Sequence, residues 1–275
     1  AIVDEARLRN LPIDGHVPLS MRARDVAPQV QSLEHLRNYE MDCVSEPEIW
    51  LAARQQQLAN TANEPGNVLR TRLHELQRLT AISNEDPEVC AEMTEALKAT
   101  VSVPTLRMNS MDLHIPFMRE DFDQAMQMIP HSVQQEWGAA RTALLASEEP
   151  VDTTFAEWSL RRTGELHAAG VPIAAGTDTP IGWSIPGYSL HTELEQYVQV
   201  GMTPLEALHS ATVAPAEYFG LEDEMGQLQV GFIADAVLLT GNPLENIIDT
   251  RSIQAVINRG ALLTRAQLDS LITER

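Results

Sequence analysis

Three residues of this 275-residue chain are of types that handle water and divalent metals, and each lies at the end of a predicted strand. These residues are His16 in the run 11–17, His35 in the run 31–36, and Asp178 directly after the run 171–177. The carboxyl ends of parallel barrel strands converge on one face, where active sites form. Two imidazoles there could bind one divalent metal, and a carboxylate could bind a second metal or take a proton from water. Each residue alone is more typical of a structural role, such as a hydrogen-bonded histidine or a turn aspartate.

The segments that would position these residues alternate between strand and helix patterns. Strand-like runs occur at 11–17, 31–36, 100–106 and 171–177. Helical periodicity fills the stretches between them, for example at Leu69, Leu73 and Leu76. Such alternation indicates an α/β fold, a parallel sheet covered by helices. We predict that the four strands are parallel and are neighbours in chain order.

From Met225 onward the pattern changes to short β-like runs separated by Gly and Asn-Pro turns. The runs lie at 226–230, 235–239 and 255–258. We therefore predict two domains, with part of a barrel over residues 1–224 and part of a separate β layer over residues 225–275.

Several helix ends carry recognisable signals. Asp86-Pro87 is typical of an N-cap followed by proline in the first turn. Thr154-x-x-Glu157 and Thr203-x-x-Glu206 each match a capping box. Gly170 is predicted to follow the end of the helix that begins near Thr154.

The charge and hydropathy of the chain argue against two classes of partner, nucleic acids and membranes. The chain has 39 acidic and 19 basic residues, a net charge of -20, and such a surface repels phosphate backbones, so we expect no nucleic-acid partner. No apolar run is long enough to span a membrane, so we expect no membrane partner either. Cys43 and Cys90 have no metal-binding or redox spacing, which favours buried or incidental thiols and leaves one disulfide possible. The compartment is not readable from the sequence.

A long series of motifs follows the last predicted barrel strand. Ala174-Ala175-Gly176-Thr177-Asp178 comes first, then Leu190 to Leu194, Gly201 to Leu208, and the stretch that begins at Gly226 and ends at Asn242-Pro243-Leu244. This order resembles the amidohydrolase superfamily, in particular its imidazolonepropionase-like and prolidase-like branch. Upstream, Gly15-His16, Ser32-Leu33-Glu34-His35 and Val103-Pro104-Thr105-Leu106 resemble the fifth, sixth and seventh strands of that family.

The resemblance implies a fold, a reaction and a set of residue roles. The fold is the C-terminal half of a TIM-like (β/α)8 barrel, strands five to eight, with part of a small β-sandwich. The reaction is hydrolysis of a C–N bond, amide-like or in a cyclic amide, of a small-molecule substrate. His16 and His35 would hold one metal, and Asp178 would hold a metal and act as general base. One or two divalent ions, zinc first among them, would be the cofactor.

The chain departs from the family pattern at its metal site. It contains no His-x-His pair, and its single lysine, Lys98, lies on a predicted helix just before the seventh strand and is expected to be a solvated residue. We therefore expect this chain to be a fragment that lacks strands one to four and to be inactive alone. Its expected partner is the missing N-terminal half or, alternatively, a second copy in a homo-oligomer.

Other interpretations remain open. A barrel fragment could act as a non-catalytic, partner-binding module, and a deaminase of the same superfamily could use Glu34 beside His35. Upstream coding sequence with a His-x-His pair and a barrel-strand lysine would favour the hydrolase. Secondary candidates for the substrate pocket are His191 and Tyr188, and, with weaker support, His114, His131 and Trp183.

Overall fold

The computed structural model describes residues 2–60 and 64–273. Its α-helices are α1 (Ile2–Leu8), α2 (Ala23–Val26), α3 (Pro47–Ala59), α4 (Gly66–Ser83), α5 (Pro87–Leu97), α6 (Leu106–Asn109), α7 (Phe122–Ala125), α8 (His131–Leu145), α9 (Thr154–Ala168), α10 (Tyr188–Gln199), α11 (Pro204–Ala211), α12 (Val213–Tyr218) and α13 (Arg265–Thr273). Its strands are β1 (Ser32–Glu34), β2 (Val101–Val103), β3 (Ala236–Leu239), β4 (Ile253–Asn258) and β5 (Ala261–Thr264). Short 3-10 turns lie at Ala27–Gln29, Glu40–Asp42, Pro116–Met118, Met126–Met128 and Ile247–Arg251.

The chain divides into two compact units. The first comprises Ala1–Thr105 and Thr153–Ala174, and the second comprises Leu106–Asp152 and Ala175–Arg275. The candidate residues are distributed between them, with His16 and His35 in the first unit and Asp178 in the second. The predicted boundary at residue 224 stays a prediction.

Parallel strand pairing organises the first unit. β1 pairs with β2 in parallel, with Leu33 opposite Ser102, and Ser102 in turn forms a parallel bridge to Ile173. The backbone N–H groups of Gln31 and Glu34 donate to the carbonyls of Ile13 and Gly15, at 2.8 and 2.9 Å. The predicted order of neighbours is therefore confirmed, and so is the α/β class.

All four predicted strands differ from their predicted bounds, since β1 and β2 have three residues each and the other two runs form no named strand. Residues 11–17 form no strand, although the Ile13 and Gly15 carbonyls accept backbone hydrogen bonds, and 171–177 contribute only the bridge at Ile173. Pro12 and Pro172 have no N–H to donate to a ladder. Gly15 adds a φ of +147°, which interrupts the extended backbone. Both segments therefore form isolated backbone hydrogen bonds with their neighbours in place of a continuous strand ladder.

Buried apolar side chains from several elements form the core of the first unit. Leu33 and Leu36 from the β1 region pack with Met93 and Leu97 of α5 and with Trp158 of α9. Cys43 and Cys90 belong to the same cluster and are joined in a disulfide. The two cysteines are therefore buried, as predicted, but they are not thiols.

The C-terminal sheet confirms two of the three predicted β runs. β3, β4 and β5 form an antiparallel sheet in that order, in which β3 covers 236–239 of the predicted run 235–239 and β4 covers all of 255–258. The prediction of a strand over 226–230 is wrong. In that stretch Leu228 and Val230 are 85% and 101% exposed, so their side chains have no packing partner to stabilise a pleated strand.

Most of the predicted helix-end signals are present in the structure, and one is not. The Asp86 carboxylate accepts from the N–H groups of Glu88 and Val89, and Thr203 forms a complete capping box with Glu206, so both of these predictions are confirmed. Gly170 adopts a φ of +81° directly after the C-cap of α9, as expected. The capping box predicted at Thr154 is wrong, as α9 already includes that residue.

No helix among the described residues is both long enough and apolar enough to cross a membrane.

Candidate functional site

His16 and His35 lie side by side in the first unit. Their ring centroids are 5.0 Å apart and the ring planes are tilted by 54°. Backbone hydrogen bonds hold both histidines next to the neighbouring segment. The Gly15 carbonyl, directly before His16, accepts from the Glu34 N–H, and the His35 N–H donates to the Val103 carbonyl at 2.7 Å. His16 is exposed and His35 is half-buried, so the pair is open to solvent on one side. The predicted pairing of these two side chains is therefore present in the structure.

Thr105 fixes the orientation of the His35 ring. Nδ1 of His35 lies 2.9 Å from the Thr105 hydroxyl, which itself donates to the Val103 carbonyl at 3.5 Å. This contact engages Nδ1 and leaves Nε2 as the ring nitrogen that could bind a metal, and a hydrogen bond to the other nitrogen has the form of a support for a metal ligand. Sequence analysis missed Thr105 because it lies 70 residues from His35.

A buried polar chain holds the backbone after His16. The side-chain amide of Asn38 donates to the Val17 carbonyl at 2.9 Å, and Arg54 donates to the Asn38 oxygen at 2.7 Å. Burial lowers the pKa of Arg54, which is 1% exposed and also donates to Gln77 at 2.7 Å. These hydrogen bonds tie the segment after His16 to α3, although Nη2 of Arg54 is buried without a partner among the described residues.

Asp178 begins a tight loop in the second unit. Its φ is +49°, a left-handed conformation that aspartate tolerates better than most residues. The guanidinium of Arg107 donates to the carbonyls of Ile181 at 2.7 Å and Gly182 at 2.8 Å, and also to those of Thr177 and Asp178. One buried side chain therefore holds four carbonyls of the Asp178 loop.

Arg107 is held in place by Glu193. The Glu193 carboxylate accepts from the backbone N–H groups of Leu106 and Arg107 at 2.8 and 2.7 Å. Complete burial raises the pKa of Glu193 to about 7, against the opposing effect of these N–H groups and of the Arg107 charge. Burial also lowers the pKa of Arg107 to about 10. Glu193 belongs to one of the quoted motifs, yet nothing in its local sequence indicates a role in loop anchoring.

The two secondary candidates are engaged in contacts within the second unit. The Tyr188 hydroxyl donates to Asp121 at 2.6 Å and accepts from Arg119 at 3.2 Å. Burial and the Asp121 carboxylate raise its pKa to about 12. Nδ1 of His191 lies 2.9 Å from the Thr250 hydroxyl, and burial lowers its pKa to about 4. His191 is therefore a neutral donor and acceptor at physiological pH.

The remaining sequence candidates have identifiable packing or polar partners. Trp183 packs against Phe117 and Trp137, with ring centroids at 5.0 and 5.5 Å. His131 lies 3.1 Å from the Gln135 amide on the same helix. Lys98 forms an exposed ion pair with Glu95 at 2.7 Å, as expected of a solvated helix residue.

Two further candidates make side-chain hydrogen bonds. His114 lies within 3.5 Å of the Gln196 and Gln199 amides. Glu34, which the deaminase alternative would use, accepts from the Ser32 hydroxyl at 2.7 Å.

One other cluster has the composition of a metal site. Within the part of the chain that the structure describes, Cys43, Glu85 and Cys90 are the group of three ligand-type side chains close enough to share an ion. The two sulfur atoms are joined to each other, and Glu85 accepts from Trp158, Arg161 and Arg162. These residues therefore do not fit a metal.

Comparison with known proteins relates part of the chain to a family. Residues 158–263 match the model described as "Amidohydrolase family". Ochratoxinase of Aspergillus niger is 46% identical over 81 residues, which are 29% of this chain and 16% of that protein. Imidazolonepropionase of Aeromonas hydrophila subsp. hydrophila is 34% identical over 91 residues, 32% of this chain and 22% of that protein.

Solved structures match over nearly the whole chain. Bottromycin amidohydrolase superposes with a TM-score of 0.66 at 19% identity, covering 98% of this chain and 54% of that one. A Xaa-Pro dipeptidase with bound methionine gives 0.54 at 18% identity, with coverages of 96% and 47%. This chain therefore spans about half the length of the solved structures that it matches.

Proposed function

We propose that this chain, whose residues 158–263 match the amidohydrolase family, carries part of the active site of a metal-dependent hydrolase of C–N bonds in small molecules. The observation that carries the proposal is the pair His16 and His35, whose rings lie 5.0 Å apart next to paired parallel segments. The family match supports the reaction class, and the pair supports the use of a metal.

The donors of the pair fit a divalent ion such as zinc. Imidazole nitrogens bind zinc at about 2.0–2.1 Å, and two rings this close can each direct one nitrogen to a shared ion. Nε2 of His35 would be one ligand, because Thr105 engages Nδ1. When bound, such an ion lowers the pKa of water toward about 7 and polarises a carbonyl.

Asp178 is the residue that we assign to proton transfer. A carboxylate acting as general base accepts a proton from the attacking water and delivers it to the leaving nitrogen. Arg107 serves this role as a positioning residue, because its four carbonyl contacts define the loop that presents Asp178. Asp178 would also be a metal ligand, as the resemblance implies.

The complete site would need residues beyond this chain. Two histidines leave a divalent ion one ligand short of the usual three-ligand catalytic site. Since the chain spans about half of the matched structures, we propose that it supplies strands five to eight of a (β/α)8 barrel and part of a β-sandwich. The other ligands would come from the remaining strands, and the chain alone would be inactive.

The substrate class is an amide-like or cyclic amide compound, with His191 and Tyr188 as proposed pocket residues. Loops set specificity within this kind of fold, so the substrate itself is a matter for assay. A panel of dipeptides, N-acyl amino acids and cyclic amides would be offered to the protein expressed from the full coding region.

Asp178→Asn is the variant that tests the mechanism. Loss of a general base should lower kcat/KM by about 10²- to 10⁴-fold on whichever panel member is hydrolysed. Asp223→Asn, an exposed matched control, should keep wild-type activity. The proposal fails if no panel member is hydrolysed, or if Asp178→Asn is as active as the control.

A further inference from the structure

A cleft in the first unit gathers arginines along one face of α4. Arg70, His74 and Arg78 occur at intervals of four residues, so they share a helix face, and Arg37 completes the same lining. The cleft has a volume of about 520 Å³. It is separate from the residues assigned to the proposed catalytic site.

The charge of the lining is opposite to that of the chain. Acidic residues outnumber basic ones by 39 to 19 overall, whereas the lining contains three arginines and a single carboxylate, that of Glu75. The side chain of Arg70 makes no ion pair or hydrogen bond with any residue that the structure describes. Like charges repeated along one helix face destabilise the helix unless an anion compensates them.

Arg78 is held rigidly at the cleft. Its guanidinium lies over the Phe155 ring, 4.0 Å from the centroid, and its Nε is 3.4 Å from the buried Glu40 carboxylate. A stacked, planar guanidinium retains donors in a fixed geometry suited to bidentate contacts with oxyanions.

His74 adds a neutral donor. Arg78 Nη2 lies 3.1 Å from His74 Nδ1, and because a guanidinium only donates, Nδ1 accepts and the ring proton is on Nε2. Burial, with the charges of Arg78, Arg37, Arg54 and Arg70, lowers the pKa of His74 to about 2. Nε2 is buried and has no hydrogen-bond partner in the described part of the chain. A buried donor without an acceptor is costly, so the helix face that lines the cleft carries an unsatisfied polar group.

We propose that this cleft binds a phosphate-type oxyanion, either inorganic phosphate or the phosphoryl group of a small molecule, through Arg70 and Arg78 with Arg37 at its side. Arginine is the side chain suited to this recognition because its forked donors match two oxygens of the anion.

Calorimetric titration of the full chain with inorganic phosphate tests the proposal. Arg70→Gln should weaken phosphate binding about tenfold, as expected for the loss of a charged hydrogen bond. This substitution removes no side-chain hydrogen bond or ion pair within the described chain, so it should not impair folding. Arg9→Gln, which removes an exposed pair with Glu5, is the matched control and should bind like wild type.

Two additional ligands identify the source of the anion. Tighter binding of glycerol 3-phosphate than of inorganic phosphate would assign the cleft to a phosphorylated small molecule, and the reverse order would assign it to inorganic phosphate. Acetate that binds as tightly as either would overturn the assignment to phosphate.

The imidazole resonances of His74 provide a second readout by NMR. They should shift when phosphate is added to wild type, and the shift at the same concentration should be smaller in Arg70→Gln. The absence of binding heat at millimolar phosphate would overturn the proposal, as would equal affinities of Arg70→Gln and Arg9→Gln.

Discussion

Glu193 illustrates how much a single side chain contributes to the environment of Asp178. Its carboxylate, 0% exposed, ties the backbone of Leu106 and Arg107 to α10, and Arg107 in turn holds the loop from 177 to 182. Burial that raises the pKa of Glu193 from 4.5 to about 7 means that ionisation of this group opposes folding.

The titration of Glu193 predicts a pH dependence of stability. Between pH 4.5 and about 7 the folded state binds more protons than the unfolded state, so the free energy of unfolding falls as pH rises and stays lower above pH 7. The effect is on the order of 3 kcal/mol. Glu193→Gln should remove this component, so its stability minus that of wild type should increase from pH 5 to pH 8.

Urea unfolding at several pH values would measure that difference. Glu217→Gln, an exposed control, should follow the wild-type pH profile. The amide introduced by Glu193→Gln leaves one backbone N–H unpaired, so the absolute stability of the variant is not the readout. Parallel profiles for Glu193→Gln and wild type would contradict the assigned pKa.

For single residues, the sequence predicts the candidate metal ligands better than it predicts the residues that position them. His16 and His35 were expected to meet because each ends a strand, and strand ends converge. Thr105 and Glu193 were not expected in their roles, because their partners lie 70 and 86 or 87 residues away and no local pattern records such contacts.

At the scale of elements, α11 begins with the most complete helix cap of the described chain. The Thr203 hydroxyl accepts from the Glu206 N–H at 3.2 Å, and the Glu206 carboxylate accepts from the Thr203 N–H at 2.7 Å. Both bonds satisfy backbone donors that the first turn of a helix otherwise leaves unpaired.

Thr203→Ala should therefore destabilise the protein by about 1 kcal/mol. Thr142→Ala, in the exposed interior of α8, is the matched control and should change stability by a few tenths of a kcal/mol at most. Thermal or urea unfolding of the two variants checks the prediction, and equal destabilisation of both would contradict it.

The same motif failed at Thr154 because the helix begins one residue earlier than the sequence signal suggests. Thr153 is the N-cap residue, with no side-chain cap bond, and its hydroxyl donates to Glu157 at 2.7 Å. Strand lengths failed for a related reason. Apolar runs predict that a segment is buried. Pro12 and Pro172 lack an N–H and so reduce the number of backbone hydrogen bonds that these segments can form with a neighbouring strand.

At the scale of the whole molecule, the disulfide between Cys43 and Cys90 constrains the chain. The sequence spacing of the two cysteines did not decide whether they form a disulfide or remain thiols. It joins residues separated by 47 positions in the core of the first unit. Disulfides form and persist in oxidising compartments, so we expect the chain to fold in one.

Removal of this crosslink should lower the free energy of unfolding by about 4 kcal/mol, the loop-closure entropy of a loop of this length. The double variant Cys43→Ala/Cys90→Ala and reduced wild type should both show the loss, and reductant should not change the double variant further. Two titratable thiols in unfolded, unreduced wild type would contradict the pairing.

The central claim is that His16 and His35 hold a divalent ion used in C–N hydrolysis, and zinc titration by calorimetry tests it most directly. The titration would compare wild type, His35→Ala and the exposed control His209→Ala in the protein expressed from the full coding region, with the isolated chain alongside. Wild type and His209→Ala should bind zinc tightly, His35→Ala should lose at least about a hundredfold in affinity, and the isolated chain should bind weakly. Undiminished zinc affinity in His35→Ala, or tight stoichiometric binding by the isolated chain, would contradict the claim.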